Sequence, residues 1–167
     1  EKDYEGDYEG IPVLKYNSVL HGEVQKPGLG PLHTEFDGRG NAYTTFFVSS
    51  EVVKWDIKTL KVLDRVPTYY SVGHLMIPGG DSKKPFGKYL VAYNKITKDR
   101  YLPTGPELTQ SAQLYDISGD KMKLLLDFPT IGEPHYAQAA PADLIRNNGQ
   151  LKIYDIKKNN HPRVAKG

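Results

Sequence analysis

Cysteine is absent from this 167-residue chain. Its absence excludes disulfides, thiolate zinc sites and cysteine-ligated copper within these residues, so any metal must be bound by imidazole or oxygen ligands. The chain also lacks an apolar run of 18 or more residues, and no membrane span is expected. It opens on Glu1 without a basic and apolar leader, so no signal peptide is predicted, as in a mature or partial protein.

An excess of charge of one sign is lacking as well. The 22 Lys and Arg residues nearly balance the 20 Asp and Glu residues, and the lysines are scattered along the chain. Because nucleic-acid binding relies on a basic patch or stripe, no nucleic-acid partner is expected. No G-x-S-x-G motif and no Ser-His-Asp arrangement points to nucleophilic catalysis.

Turn-forming and aromatic residues are plentiful. The chain has 16 Gly, 12 Pro and 12 Tyr, and neither Ala nor Leu accumulates at helical spacing. This composition predicts many short strands joined by turns, and strands joined by two to five residues form antiparallel meanders. The predicted strands are 41–48, 51–57 and 60–66 in a first group, 88–94, 112–117 and 121–128 in a second, and 151–156 in an incomplete third.

Two other segments have recognisable patterns. The tetrapeptide Asp-Tyr-Glu-Gly occurs twice in residues 1–10, which predicts a solvated acidic end in preference to a calcium-binding loop, and a short strand is predicted within 11–20. The connection 96–111 holds two prolines. Loops of this length are uncommon in compact domains and are often functional.

One histidine precedes each group of strands. His33, His74 and His135 are 41 and 61 residues apart, and an aromatic-Asp-Ile tripeptide ends a strand after each of them. Repeats of about 40–60 residues made of several strands are typical of β-propellers, whose blades present equivalent positions to one channel. The histidines are therefore expected to become neighbours and are candidate metal ligands, although each alone is more simply explained as a packed residue.

The predicted fold is all-β, with residues 1–167 forming about two and a half four-stranded antiparallel blades of a propeller. A β-sandwich explains the strands equally well, but it gives no reason for a histidine to occupy the same position in each repeat. A propeller ring normally needs about four to eight blades, so the chain is expected to be part of something larger.

Several blocks of the sequence resemble nitrous-oxide reductases. The blocks are 30–45 (GPLHTEFDGRGNAYTT), 52–55 (VVKW), 98–100 (KDR), 116–122 (DISGDKM) and 133–135 (EPH). The resemblance implies a periplasmic homodimer with an N-terminal seven-bladed propeller and a C-terminal cupredoxin domain. It further implies a tetranuclear copper–sulfide cluster held by seven propeller histidines, a dinuclear copper centre in the cupredoxin domain, and calcium near the cluster.

The resemblance also assigns roles by position. The implied site residues are the metal ligands His33, His74 and His135 and, beside the cluster, Lys95, Glu133 and Lys152. A lysine there stabilises negative charge as the N–O bond breaks, and an outer carboxylate orients a metal-bound imidazole. The chain is expected to hold the C-terminal blades, with the cupredoxin domain absent.

Two departures from the family pattern favour its atypical branch, usually exported by the general secretory route. Tyr136 follows His135 where many members have Asp, and the connection between His33 and His74 is shorter than in the better-known branch.

The implied activity is the reduction of N2O to N2 and water with two electrons and two protons, as in denitrification. The electrons are expected from a periplasmic donor such as a c-type cytochrome or a cupredoxin. This chain alone is expected to be inactive. The alternative, from a different class, is a non-catalytic β-propeller that serves as a binding scaffold and whose histidines are structural.

Overall fold

The computed structural model describes residues 2–95, 110–141 and 143. Within these ranges lie ten strands and one four-residue helix, and no helix there is long and apolar enough to cross a membrane. The elements are β1 (Tyr4–Tyr8), β2 (Ile11–Leu14), α1 (Tyr16–Val19), β3 (Pro31–Phe36), β4 (Asn41–Phe46), β5 (Glu51–Asp56), β6 (Val62–Pro67), β7 (Val72–Met76), β8 (Tyr89–Asn94), β9 (Ser111–Asp116) and β10 (Lys123–Pro129).

Two four-stranded antiparallel sheets form the body of the protein. Their strand orders are β3-β4-β5-β6 and β7-β8-β9-β10, so each sheet is a simple meander. The first strands of the two sheets, β3 and β7, lie against each other. This is the arrangement of two successive propeller blades, and it confirms the predicted all-β fold as part of a β-propeller.

The predicted strands agree with the structure in six cases, with ends that differ by up to two residues. β6 begins at Val62 because Leu60 has a φ of 57° and closes a turn through its N–H to the Asp56 carbonyl, at 2.8 Å. The innermost strands β3 and β7 were not predicted as strands. Both strands contain or adjoin residues that are typical of turns, namely Gly30, Pro31 and Gly73. These residues hid the extended pattern. The predicted strand 151–156 and the connection 96–109 lie outside the described residues.

The N-terminal segment is almost entirely exposed, as expected of a solvated acidic end, and it forms a hairpin that was not predicted. β1 and β2 pair with Tyr8 opposite Ile11, and the two residues between them, Glu9 and Gly10, have φ values of 50° and 80°. Two positive φ values in a two-residue loop match the right-handed twist of paired strands. The strand predicted within 11–20 ends at Leu14, where the chain turns into α1.

The hydrophobic core lies between the two blades. It contains Tyr43 and Val52 from the first blade and Leu75, Leu90 and Tyr115 from the second, all at most 1% exposed. Tyr115 donates its hydroxyl hydrogen to the carbonyl of Pro67 at 3.1 Å, so this hydrogen bond crosses from one blade to the other. A buried phenol needs such a partner, and here the partner also fixes the relative position of the blades.

A polar network at the β3–β4 turn adds a second link between the blades. The Asp37 carboxylate accepts hydrogen bonds from the backbone and side chain of Asn41 and from the backbone N–H of Arg39. Arg39 pairs with Asp37 at 3.1 Å and donates to the carbonyls of Gly87 and Ile117 in the second blade. The Asp37 side chain is fully buried, so the network compensates its desolvation.

We expect Asp37→Asn to destabilise the protein in a pH-dependent manner. Burial acts to raise the Asp37 pKa, but the hydrogen bonds from Asn41 and Arg39 and the Arg39 charge outweigh it and lower the pKa. The ionised form therefore contributes stability above the pKa of an unfolded aspartate, near 4, and that contribution is lost as the pH falls through the lower folded-state pKa. Urea denaturation from pH 7 to pH 2 should show a loss of about 1–3 kcal/mol at pH 7 that shrinks at acid pH.

The matched control is Asp120→Asn, because Asp120 is exposed on the β9–β10 turn. This control should change the free energy of unfolding little at any pH. An equal loss for Asp37→Asn at pH 7 and pH 2 would contradict the role assigned to the ionised carboxylate.

Candidate metal centre

The site forms where β3 and β7 lie side by side. Alternate residues of a strand share a face, so His33 and Glu35 of β3 project in the same direction. His33 Nδ1 lies 3.0 Å from the carbonyl oxygen of Leu75, and the Glu35 carboxylate accepts the N–H of Ile77. Side chains of the first blade thus satisfy backbone groups on the edge of β7 that faces away from its own sheet.

The three histidines meet at this place. The ring centroids of His33 and His74 are 4.9 Å apart with an interplanar angle of 54°. His74 and His135 stack at 4.7 Å with an interplanar angle of 28°. Residues far apart in sequence are therefore neighbours, as the repeat predicts, while their role as metal ligands remains a prediction.

His33 is held in one orientation by β7. Its Nδ1 is 3.0 Å from the Leu75 carbonyl and 3.3 Å from the Leu75 N–H. The shorter contact assigns the proton to Nδ1, which then donates to the carbonyl and leaves the lone pair on Nε2. Burial lowers the His33 pKa and outweighs the opposing effects of Leu75 and the Asp81 charge, which favours the neutral ring.

His74 has a buried nitrogen without a partner. Its Nδ1 makes no hydrogen bond within the described part of the chain. Burial lowers the His74 pKa, and the charges of Lys95, His33 and His135 lower it further. A neutral imidazole with an unused buried nitrogen is the form that binds a transition metal.

The Lys95 charge acts on His74, while the role assigned to this lysine beside the cluster stays a prediction. Its backbone N–H bonds to the Ser71 carbonyl at 3.2 Å, which continues the β7–β8 pairing. Its aliphatic chain runs so close to Gly73 that a Cβ added there would collide with Cγ, Cδ and Cε of Lys95. Gly73 is therefore needed at this position because the lysine passes directly over its backbone.

Of the other two predicted site residues, the structure describes Glu133 but not Lys152. Glu133 is exposed and forms no hydrogen bond or ion pair to the histidines among residues 2–95 and 110–141. Lys152 lies outside the described residues. In the same described ranges, no group of three or more His, Asp or Glu side chains is arranged to bind one common metal ion.

Sequence analysis missed the roles of two residues, Glu35 and Tyr136. Glu35 is 1% exposed, and its Oε1 accepts the Tyr136 hydroxyl hydrogen at 3.1 Å. Burial raises the Glu35 pKa more than its hydrogen bonds lower it. Burial and the nearby Glu35 charge raise the Tyr136 pKa to about 12, so the phenol stays protonated and donates. Glu35 two residues after His33 was the available signal, since residues i and i+2 of a strand share a face.

The fold and the site together define a class: a β-propeller whose innermost strands carry facing histidines. Comparison with known proteins is more specific. Residues 65–135 match the family described as the nitrous oxide reductase propeller repeat. The nitrous-oxide reductase of Stutzerimonas stutzeri is 46% identical over 147 residues, which are 82% of this chain and 22% of that protein.

Two further relatives agree. The nitrous-oxide reductase of Ralstonia nicotianae is 46% identical over 134 residues, which cover 74% of this chain and 21% of the relative. That of Pseudomonas fluorescens is 42% identical over 148 residues, which cover 83% and 22% respectively. The chain belongs to the nitrous-oxide reductase family. It spans about a fifth of the length of these curated relatives.

The effect of the Lys95 charge on His74 gives a testable prediction. Burial is the main cause of the lowered His74 pKa, and the Lys95 charge is the next. Lys95→Gln removes that charge, so the His74 pKa should rise while remaining below its ordinary value. An NMR titration of the His74 imidazole measures the change.

Lys88→Gln is the matched control, because Lys88 is exposed just before β8. It should leave the His74 pKa unchanged. The same His74 pKa in Lys95→Gln and in the native chain would show that the ammonium group is too distant to act on the ring.

Proposed function

We propose that this chain is part of the copper-binding propeller of a nitrous-oxide reductase, which reduces N2O to N2 and water. The observation that carries the proposal is the contact of the His74 ring with the rings of both His33 and His135 in a chain of this family. When bound, the copper–sulfide cluster supplies the electrons and the binding site for N2O. The cluster ligands in this chain would be these three histidines.

The residues present fit such a group. All three side chains offer nitrogen donors, which suit copper, and the chain has no thiol to compete. The buried Nδ1 of His74 has no other partner within the described residues.

The surrounding residues prepare the site in three ways. The Leu75 carbonyl orients the His33 ring, as the outer partner of a metal-bound histidine does. Burial keeps water away from the His74 Nδ1. The Lys95 ammonium group provides positive charge near His74, where it would stabilise negative charge on oxygen as the N–O bond breaks. We assign supporting roles at the cluster to Glu133 and Lys152 on family resemblance alone.

The wider setting belongs to the same proposal. It comprises a seven-bladed ring, a cupredoxin domain with a dinuclear copper centre, calcium, a homodimer and a periplasmic location. It also includes a donor such as a c-type cytochrome or a cupredoxin, and a role in denitrification. The support is membership of the family, since the chain spans 22% of a relative such as that of Stutzerimonas stutzeri.

Substitution of the histidines tests the copper site. In the full-length protein containing this chain, His33→Ala, His74→Ala and His135→Ala should each weaken copper binding by at least the 10- to 100-fold known for changes around a metal ligand. Each should also lower N2O reduction, since both depend on the assembled cluster. Copper per protein, measured by elemental analysis, and gas-chromatographic assay of N2O consumption provide the two readouts.

The control is His21→Ala, because His21 is exposed and outside the repeat. It should retain copper and activity. Full copper content and activity in all three site variants would instead favour the binding-scaffold alternative with structural histidines.

The isolated 167-residue chain should not reduce N2O. It supplies three of the seven ligands implied by the family, and its described residues contain two complete blades of a ring that needs about four or more. An N2O assay of the copper-treated chain with a chemical reductant is the measurement. Turnover above the rate of a His74→Ala chain would contradict this expectation.

A further inference from the structure

The segment that carries His135 is attached to the blades differently from the strands that carry His33 and His74. Within the described residues, 131–141 form no strand and make no backbone–backbone hydrogen bond to either blade. Two side-chain hydrogen bonds connect the segment to the blades. Tyr136 donates to Glu35 Oε1 at 3.1 Å, and Gln138 Nε2 donates to Asp81 Oδ2 at 3.1 Å.

Tyr136 is the centre of these contacts. Its hydroxyl oxygen also accepts a hydrogen bond from Gln138 Nε2 at 2.6 Å. Its ring lies 5.4 Å from the ring of His33, edge-on at 87°, and 5.4 Å from that of His74 at 58°. One residue therefore contacts two of the candidate ligands and directly follows the third, His135.

The acceptor for Tyr136 is held rigidly. Glu35 is 1% exposed and lies on β3, and its other carboxylate oxygen is bound by the Ile77 N–H of the next blade. Gly80 packs against it so closely that an added Cβ would lie 2.9 Å from the Glu35 Cβ. A carboxylate fixed on both sides gives the tyrosine hydroxyl a single defined anchor.

We propose that Tyr136 is a positioning residue, which holds His135 against His74 through its hydrogen bond to Glu35. The strand backbone places His33 and His74, whereas a side-chain contact between distant parts of the chain places His135. The proposal that this position serves a metal rests on the copper-binding function proposed above. The hydrogen bond between Tyr136 and Glu35 is independent of that proposed function.

Thermolysin cleavage within this chain, measured in the metal-free full-length protein that contains it, tests the contact. Cleavage before Ala137 requires the segment to detach, so its rate follows the population of the detached state. Tyr136→Phe keeps the ring and removes the hydroxyl, and it should accelerate cleavage about twofold to tenfold, the effect of one lost hydrogen bond. Each cleavage rate is divided by the rate at which thermolysin cleaves a peptide of residues 130–141 that carries the same substitution. The ratio then reports detachment of the segment and not the preference of the protease.

Tyr89→Phe is the matched control, because Tyr89 is half exposed on β8 and remote from the segment. Its cleavage rate should equal that of the native chain. Gln138→Ala changes an exposed residue and keeps the Tyr136 phenol. It should also accelerate cleavage, because it removes the hydrogen bonds that Gln138 donates to Asp81 and Tyr136. Equal rates for Tyr136→Phe, Gln138→Ala and the native chain would overturn the proposal.

Addition of Cu(I) separates a role toward the metal from a purely structural one. If His135 is positioned to bind metal, Cu(I) should slow cleavage in the native chain and in Tyr136→Phe but not in His135→Ala. Cu(I) that binds without slowing cleavage would overturn the role toward the metal. Absence of Cu(I) binding by the full-length protein that contains this chain would instead refute the proposed copper site, while the metal-free rates would still decide whether Tyr136 fixes the segment.

Discussion

The constraint on which the structure depends is the uncovered backbone edge of β7. An innermost blade strand pairs with its own sheet on one side only, and buried N–H and C=O groups on the other side need partners. Here His33 and Glu35 supply them, at the Leu75 carbonyl and the Ile77 N–H. The contact that joins the two blades is therefore the same contact that orients a candidate metal ligand. Stability and site geometry cannot be altered separately at this position.

The electrostatics of the site follow from the same packing. Burial lowers the pKa values of His33 and His74, and the Lys95 charge adds to the effect at His74. The neutral His33 and His74 rings can lie less than 5 Å apart without charge repulsion. Because Gly73 lets the lysine pass over the backbone of β7, a cation is placed near the rings without a direct hydrogen bond to them.

Most of the fold was predictable because the outer strands have clear patterns. β4, β5, β8 and β9 are rich in aromatic and β-branched residues between turn signals, and their predicted ranges agree with the structure. β3 and β7 were missed because residues typical of turns, Gly30, Pro31 and Gly73, lie within or beside them. The contribution of Tyr136 could not be predicted, since its partner Glu35 is 101 residues away in sequence.

The sequence by itself determined the class of fold, the repeat and the equivalent positions of three histidines within that repeat. These properties depend on local patterns and on spacing, which a linear chain displays directly. The tertiary structure alone decided that Leu75 fixes the His33 ring and that the His74 Nδ1 lacks a partner within the described residues. It also decided that the Tyr136 hydroxyl donates to Glu35. Such contacts join residues tens of positions apart, and only the packing of one blade on the next brings them within hydrogen-bonding distance.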